Sequence, residues 1–365
     1  MDSFLTKDLQ HAHIGYVPIS NSLNSPGDKR RFAYYASKRN LNFEIADPSK
    51  KYDVVVITQN ADLSIWSQYD RGGAKIVYDS IDSYLAIPKS NIKGWLRGLA
   101  KYLSGQSRYL KIDHWKAIGE MCSRADAVVC STQEQRDDIL KFCPNVHIIL
   151  DAHLSVARRV KTDYGASRPF RLVWEGLPQT LGSLKLLGPV LDRLRAQYPV
   201  EVHIVTDPFY NRYLGKYGKS NTIKAARQIL PDVHFHEWKE DDCADIICSC
   251  DLAVIPLDLR DPFAAGKPEN KLLLLWRMGM PVITSASPAY VRTMHAAGKN
   301  YTARDGADWQ AILTNLIGDA IAREQAGLNG KAYVDSEFSE ASLLARWDTM
   351  FESLGLPVSN PLDAM

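Results

Sequence analysis

Several familiar signatures are missing from this chain of 365 residues. No two of its six cysteines are spaced C-x-x-C, which removes the usual zinc and dithiol motifs. Cys248 and Cys250 stand too close in sequence for an ordinary disulfide, so all six are expected as free, buried or half-buried thiols. No apolar run reaches the length of a membrane-spanning helix. The opening residues MDSFLTKDLQHAH have neither a basic start nor an apolar core, so a signal peptide is not expected. A cytoplasmic location follows as the expectation, with a peripheral place at the inner face of a membrane as its variant. Charges of the two signs nearly cancel: 44 Lys and Arg against 42 Asp and Glu leave a net charge of +2, which argues against nucleic-acid binding by bulk charge. Neither G-x-G-x-x-G nor G-x-x-x-x-G-K-[ST] occurs, so the standard dinucleotide and Walker loops are excluded. There is no internal repeat and no low-complexity tract.

What remains is an ordinary globular composition, 45% apolar and 24% charged, long enough for two domains. Short apolar, β-branched segments recur at 13–19, 43–46, 52–58, 75–78, 125–130 and 146–150, with helical stretches between most of them. Residues 154–169 are polar, basic and turn-rich and read as a linker. A second set follows, with strands at 170–175, 200–205, 233–238, 251–257 and 281–285. Helices are expected at 181–197, 220–229, 241–250, 269–278 and 287–297, then near 307–317, 319–330 and 338–354. Alternation of this kind predicts βαβ units, parallel sheets and right-handed crossovers. The expected fold class is α/β, with two doubly wound, Rossmann-like domains at 1–160 and 161–335. Residues 336–365 form a terminal helix and tail.

The stretch 251–285 carries the densest chemistry. It reads strand, long loop, helix, strand. In an open parallel sheet, ligands bind beyond the carboxyl ends of the strands. The loop 258–268 lies there, and the helix from Glu269 aims its N–H groups and partial positive charge at the same edge. Lys267, Asn270 and Lys271 crowd that helix start, and Arg260 in the loop is a further candidate cation. Cations at a helix N-terminus suit a phosphate or diphosphate, since a lysine in a first turn is otherwise mildly unfavourable. Glu175 and Gly176 sit at the tip of an earlier strand and face the same edge.

In the first half, Asn24 to Arg31 is a Pro-Gly loop after the first strand. It contains Gly27, Asp28 as the expected cap of a helix from 29 to 39, and the basic Arg30. Gln59, Asp62, Asp79 and Asp82 fall at strand ends; Asp79 and Asp82 also stand where aspartate caps a following helix. Tyr84 and His153 lie near the same edges. His234 and His236 alternate along a strand and read as structural. Residues 89–116 combine Lys89, Lys93, Arg97 and Lys101 with Ile92, Trp95, Leu96, Leu99 and Leu103. That is an amphipathic helix with a cationic flank, either packed on its own domain or resting on an anionic membrane surface.

On these residues the chain resembles the GT-B glycosyltransferases, at the level of element order over nearly its whole length. At motif level it is similar to the retaining, glycogen-synthase-like and bacterial cell-surface sugar transferases. These carry a strand ending in Pro, a loop, and then N-K-L-x-E-x-x-x-x-G-x-P-V. Ile255-Pro256, Asn270-Lys271-Leu272, Gly279, Pro281 and Val282 match. The family's carboxylate for the donor ribose would fall at Leu274, and its earlier glutamate near Lys267, so neither is present; Glu269 is the nearest substitute. The family's cations after the first strand of the second domain are also missing, since no cation precedes Lys185 there.

The resemblance implies two facing Rossmann-like domains, acceptor in the first and nucleotide-sugar donor in the second, with a last helix crossing back. It implies sugar transfer from a nucleotide-diphosphate donor to a glycan, lipid-linked or other hydroxyl acceptor, in cell-surface polysaccharide or glycoconjugate synthesis. No cofactor and no metal are expected. Lys267 and Lys271 would stabilise the leaving diphosphate, and Glu175, Gly176, Arg260, Glu269 and Asn270 would hold the donor. Gly27, Asp28, Arg30, Gln59 and Asp79 would face the acceptor. Asp82 would be the base if the reaction inverts; if it retains, as the resemblance favours, the leaving phosphate takes the acceptor proton. A non-catalytic glycan- or partner-binding protein and a nucleotide-sugar 2-epimerase stay open as alternatives.

Overall fold

The computed structural model describes residues 8–90, 98–100, 102–213 and 217–358. The chain forms two compact units, 1–152 with 340–365, and 153–339. In the first unit the strands β1 (Ile14–Val17), β2 (Phe43–Ile45), β3 (Val54–Thr58), β4 (Lys75–Asp79), β5 (Ala127–Cys130) and β6 (Val146–Ile148) make one sheet in the order β2-β1-β3-β4-β5-β6. Every pairing is parallel. Alternation along the strands explains why both faces are covered. Val54, Val56, Val77 and Val129 pack with Phe32, Tyr35, Trp347 and Phe351 on one side. Val55, Ile57, Ile76 and Val128 pack with Trp66, Ile118, Met121 and Cys122 on the other. The last helix, Glu340–Glu352, belongs to this unit. Tyr35 stacks on both Trp347 and Phe351 at 5.6 Å, and Tyr35 and Arg39 bond to Asp348.

The expected single helix from 29 to 39 is broken in two, Pro26–Arg30 and Phe32–Lys38, with Arg31 at φ −123°, ψ −123° between them. The cause is the burial of Arg31. Its guanidinium is 1% exposed and donates to Asp79 from Nε (2.8 and 3.0 Å) and Nη2 (2.6 Å). From Nη1 it reaches the Ile149 carbonyl (2.9 Å) and Asp151 (3.0 Å).

In the second unit β7 (Phe170–Glu175), β8 (Val200–Thr206), β11 (Val233–Glu237), β12 (Leu252–Ile255), β13 (Val282–Ser285) and β14 (Thr302–Ala303) form a sheet ordered β11-β8-β7-β12-β13-β14. All its pairings are parallel. Between β8 and β11 lies an antiparallel hairpin, β9 (Phe209–Tyr213) and β10 (Tyr217–Asn221), which the sequence reading lacks, as it lacks β14. The expected helix 181–197 is a 3-10 segment, Pro178–Leu187, running into Gly188–Arg195. Gly188-Pro189 at the junction explains the change, because proline fits the first turn of a new helix and not the interior of a long one.

The stretch read as a linker is bound down onto this unit. Lys161 N–H donates to the Met278 carbonyl at 2.8 Å, and its ammonium reaches the carbonyls of Cys250 (2.8 Å) and Cys248 (3.3 Å). Tyr164 donates to Gly279 O at 2.8 Å, and Arg323 donates to Tyr164 O. The helix Asn270–Arg277 ends at Gly279, whose φ of +68° is a left-handed cap that favours glycine. Its far side meets the helix Ala320–Glu337 closely: a Cβ on Gly330 would stand 2.3 Å from the Trp276 ring. All six cysteines are free and buried.

Candidate functional site

Strand order decides where each unit can hold a ligand. Leaving the hairpin aside, the second sheet runs 3-2-1-4-5-6, and the order reverses between β7 and β12. The carboxyl ends there are Glu175-Gly176 and Ile255-Pro256. The helix Asn270–Arg277 starts in the same region. Its first-turn Lys271 lays the ammonium 5.0 Å from the centroid of the Trp174 ring, and a Cβ at Gly176 would lie 2.4 Å from Lys271 Nζ. The structure therefore brings Gly176, Lys271 and Trp174 into contact. Burial pushes the Lys271 ammonium below its ordinary value, Glu175 draws it back up, and Lys267 pushes it further down. A half-buried lysine with a second cation nearby is poised for an anion.

The remaining residues of this edge are sorted by their contacts. Lys267 lies 4.6 Å from the centroid of the Phe263 ring, after a short helix, Pro262–Ala265, that the sequence reading took as plain loop. Arg260 is turned outward: its side chain is 84% exposed and paired with Asp258 through Nε (2.8 Å) and Nη2 (2.9 Å). Asn270 opens the helix and is half-buried. Glu269 precedes it but does not cap it. Its carboxylate is 8% exposed and accepts from Thr293 Oγ1 at 3.1 Å. Leu274, at the position of the family's ribose-binding carboxylate, is 3% exposed. Trp174, Tyr290, Thr293 and Ser285 are residues the sequence reading did not single out. Tyr290 is buried, and burial with Glu269 and Glu175 nearby raises its pKa. Ser285 Oγ accepts from Leu257 N–H at 2.8 Å, tying the loop after β12 to the end of β13. Trp174 and Ser285 lie at the ends of apolar strands and Tyr290 and Thr293 within the helix Pro288–Ala296, so their spacing in the sequence gave no hint of them.

In the first sheet the order reverses between β1 and β3. Asp28 is 0% exposed and lies inside the first short helix, whose cap is Ser25. It accepts from Tyr16 OH (2.7 Å) and from the N–H groups of Ile19 (2.9 Å) and Ser20 (3.0 Å). Asp28, expected as a helix cap, thus fastens the start of the loop after β1 instead. Gly27 gives the closeness this needs, since a Cβ there would meet Ile19 Cδ1 at 2.3 Å. Arg30 is half-buried. Asp79 is 1% exposed and engaged by Arg31; burial pushes its carboxyl up against the pull of that arginine. Asp62 caps the helix Leu63–Trp66 and also accepts from Arg108 N–H. Gln59 and Asp82 clasp each other across the ends of β3 and β4, Nε2 to Oδ2 at 2.9 Å and Asp82 N–H to Oε1 at 2.8 Å. Asp82 is half-buried, which leaves it the more open of the two β4-end carboxylates. His153 is 3% exposed.

Of the basic stretch 89–116, residues 91–97 and 101, with Lys93, Trp95 and Arg97, lie outside the described residues. Among the described ones, Leu99, Tyr102, Leu103, Tyr109, Leu110 and Ile112 are exposed. No described helix is long and apolar enough to cross a membrane.

Gly176→Ala is a direct probe of the Lys271 seat. The new methyl would displace the ammonium, the movable end of a side chain, and press on Trp174 Cζ2 at 3.0 Å. Nucleotide affinity is expected to fall at least tenfold by titration calorimetry, with a small change in melting temperature. Unchanged affinity would place the anion elsewhere.

No known family profile and no curated protein matches the sequence. Solved structures match its shape. Sucrose-phosphate synthase from Thermosynechococcus elongatus shares 14% identity at a TM-score of 0.58, over 88% of this chain and 76% of that one. WaaG, a glycosyltransferase involved in lipopolysaccharide biosynthesis, shares 12% at 0.53, over 92% and 99%. TarM shares 12% at 0.53, over 82% and 54%, so the chain spans about half the length of TarM. A variant of TarM from S. aureus, solved with UDP, α-GlcNAc-glycerol and fondaparinux, shares 12% at 0.50, over 81% and 55%. The two parallel six-stranded sheets with flanking helices have the GT-B fold, that of the glycosyltransferases they match.

Proposed function

We propose that this chain is a glycosyltransferase that moves a sugar from a nucleotide-diphosphate donor to a hydroxyl acceptor. The observation that carries the reading is the seat of Lys271. A half-buried ammonium lies over Gly176 and Trp174, in the first turn of a helix, at the strand-order reversal of a Rossmann-type sheet. As the bond from the anomeric carbon to the phosphate oxygen breaks, negative charge gathers on the leaving diphosphate. A preorganised cation and helix N–H groups stabilise that charge more than the ground state. Lys267 adds a second positive charge. Asp82, held by Gln59, is the proposed base for inversion; with retention the leaving phosphate receives the acceptor proton. The TarM variant crystallised with UDP makes UDP-sugars the first donors to try. A panel of UDP-, GDP-, ADP- and CMP-sugars, read by thermal shift and by nucleotide release, tests the reading. One nucleotide class is expected to raise the melting temperature by linkage; silence across the panel would sink it.

A glycan or lipid-linked acceptor used at an anionic membrane surface fits the exposed Leu99, Leu103, Tyr109, Leu110 and Ile112 beside Arg108, Lys111 and Lys116. Flotation with anionic vesicles is expected to carry the protein upward, and neutral vesicles to leave it below. Equal recovery in both would retire the membrane role.

A further inference from the structure

Away from the nucleotide edge, the outer strands of the second sheet gather a cluster the proposed reaction does not use. β8 carries Glu201 and His203 on one face, and β11 pairs with it so that His234 lies directly opposite His203. Arg171, on the neighbouring β7, stands opposite Glu201. His203 Nε2 lies 3.6 Å from Glu201 Oε2, and His234 Nε2 lies 3.7 Å from Glu201 Oε1. One ligand atom from each of the three residues lies within 4.8 Å of the others. The His203 ring lies nearly parallel to that of His234, with centroids 4.8 Å apart, and nearly parallel to that of His236 at 5.2 Å, which it meets through its ring nitrogens.

The hydrogen bonding of His203 does not close without another partner. Its Nδ1 is 3.0 Å from His236 Nε2, so one of these nitrogens donates to the other. Its Nε2 is buried and has no hydrogen-bond partner. If Nδ1 donates, Nε2 offers a bare lone pair to a carboxylate oxygen 3.6 Å away, and two acceptors face each other. If His236 donates, the proton on Nε2 points to the Glu201 carboxylate at 3.6 Å, beyond a good hydrogen bond. Arg171 Nε, 4.0 Å from Glu201 Oε2, is too far to hydrogen-bond the carboxylate. A cation between the three atoms resolves the first case completely.

We propose that Glu201, His203 and His234 form a binding site for a divalent transition metal of the zinc class. Two imidazole nitrogens and a carboxylate are a donor set zinc takes readily, with bonds of about 2.0–2.2 Å. At tetrahedral angles such ligand atoms stand roughly 3.3 Å apart, so the three side chains, whose ligand atoms now span up to 4.8 Å, must draw together by as much as about 1.5 Å as the ion binds. His236 would be the outer partner that orients a liganding histidine and fixes its tautomer. His234 is half exposed and Glu201 about one-third, so an ion can enter from solvent. Glu201 and His203 lie in the first half of β8, short of the carboxyl end where the donor site is placed. The site therefore does not serve the transfer step. It fastens the edge strand β11 to β8, where an open row of backbone groups would otherwise be free to pair.

The test uses the full chain without a polyhistidine tag, stripped with chelator and titrated with Zn²⁺ by calorimetry and with Co²⁺ by visible absorption. One ion per chain is expected, with a tetrahedral-type Co²⁺ spectrum and a rise in melting temperature on adding zinc. His203→Ala, His234→Ala and Glu201→Gln should each weaken binding at least tenfold and abolish the zinc-dependent rise. His236→Ala should weaken it about tenfold, the usual effect of an outer partner. His295→Ala, an exposed histidine elsewhere, should bind as wild type. Glu201→Gln keeps size and shape, so it answers the question even if a histidine variant fails to fold. No saturable binding to the wild type, or wild-type binding by Glu201→Gln, overturns the proposal.

Discussion

Lys271→Met is expected to lower kcat by about 10²–10³-fold, the range seen when one preorganised donor to a developing negative charge is removed. Methionine keeps most of the volume against Trp174 and leaves Gly176 uncrowded, so the loss isolates the charge. Stability should hold, because Lys271 loses solvation by burial and feels Lys267; removing it relieves both costs. The same contacts predict a pH effect. The Lys271 pKa lies below its ordinary value, and a diphosphate binds the protonated form. Donor affinity therefore stays full below the free-state pKa and falls as pH rises through it, before an ordinary lysine would titrate. Calorimetry should show proton uptake on binding that appears in the wild type as pH rises through the free-state pKa, with none from this group in the variant. A variant that turns over at the wild-type rate would remove Lys271 from the mechanism; one that unfolds would make it a packing residue.

Asp79→Ala has the largest expected effect on stability. It leaves the Arg31 guanidinium buried with three hydrogen bonds gone and only Asp151 and the Ile149 carbonyl remaining. Breaking a buried pair from one side costs about 3–5 kcal/mol, a fall in melting temperature of roughly 10 °C in a unit of this size. Asp82→Ala gives the contrast. It loses a half-exposed clasp with Gln59, so stability should move by about 1 kcal/mol, while turnover collapses if Asp82 is the base. Urea denaturation of both variants beside rate measurements separates the roles. Equal stability of Asp79→Ala and wild type would contradict the buried-pair account.

The contrast shows which parts of the molecule could be read in the sequence. The strands were legible because their β-branched runs are apolar on both faces, as helix-covered parallel sheets require. The helix expected over 269–278, observed as Asn270–Arg277, was legible because Gly279 marks its end. Arg31 was not legible. It stands in a row of three cations, and the partners that select it are 48 and 118 residues away. Asp28 was misread for the same reason: a carboxylate at a helix start looks like a cap until the strand behind it is in place. The Glu201 and His203 pair with His234 and His236 did carry a signal, polar residues alternating with apolar ones on two strands. What that signal lacked was register, which only the parallel pairing of β8 with β11 supplies.

The strap from Lys161 to Tyr164 bears on how the second unit can be handled by itself. Its composition marks it as a spacer, and a truncation made on that basis would start at β7. Such a piece would lose the ammonium that caps the carbonyls of Cys248 and Cys250 and the phenol that caps Gly279. It would also strip Arg323 of its acceptor at Tyr164 and Asp245 of its partner Arg159. These groups lie behind β12 and at the end of the helix that carries Lys271. Sixteen residues that look dispensable are therefore part of the second unit's own closure, and a separately expressed unit has to begin at His153.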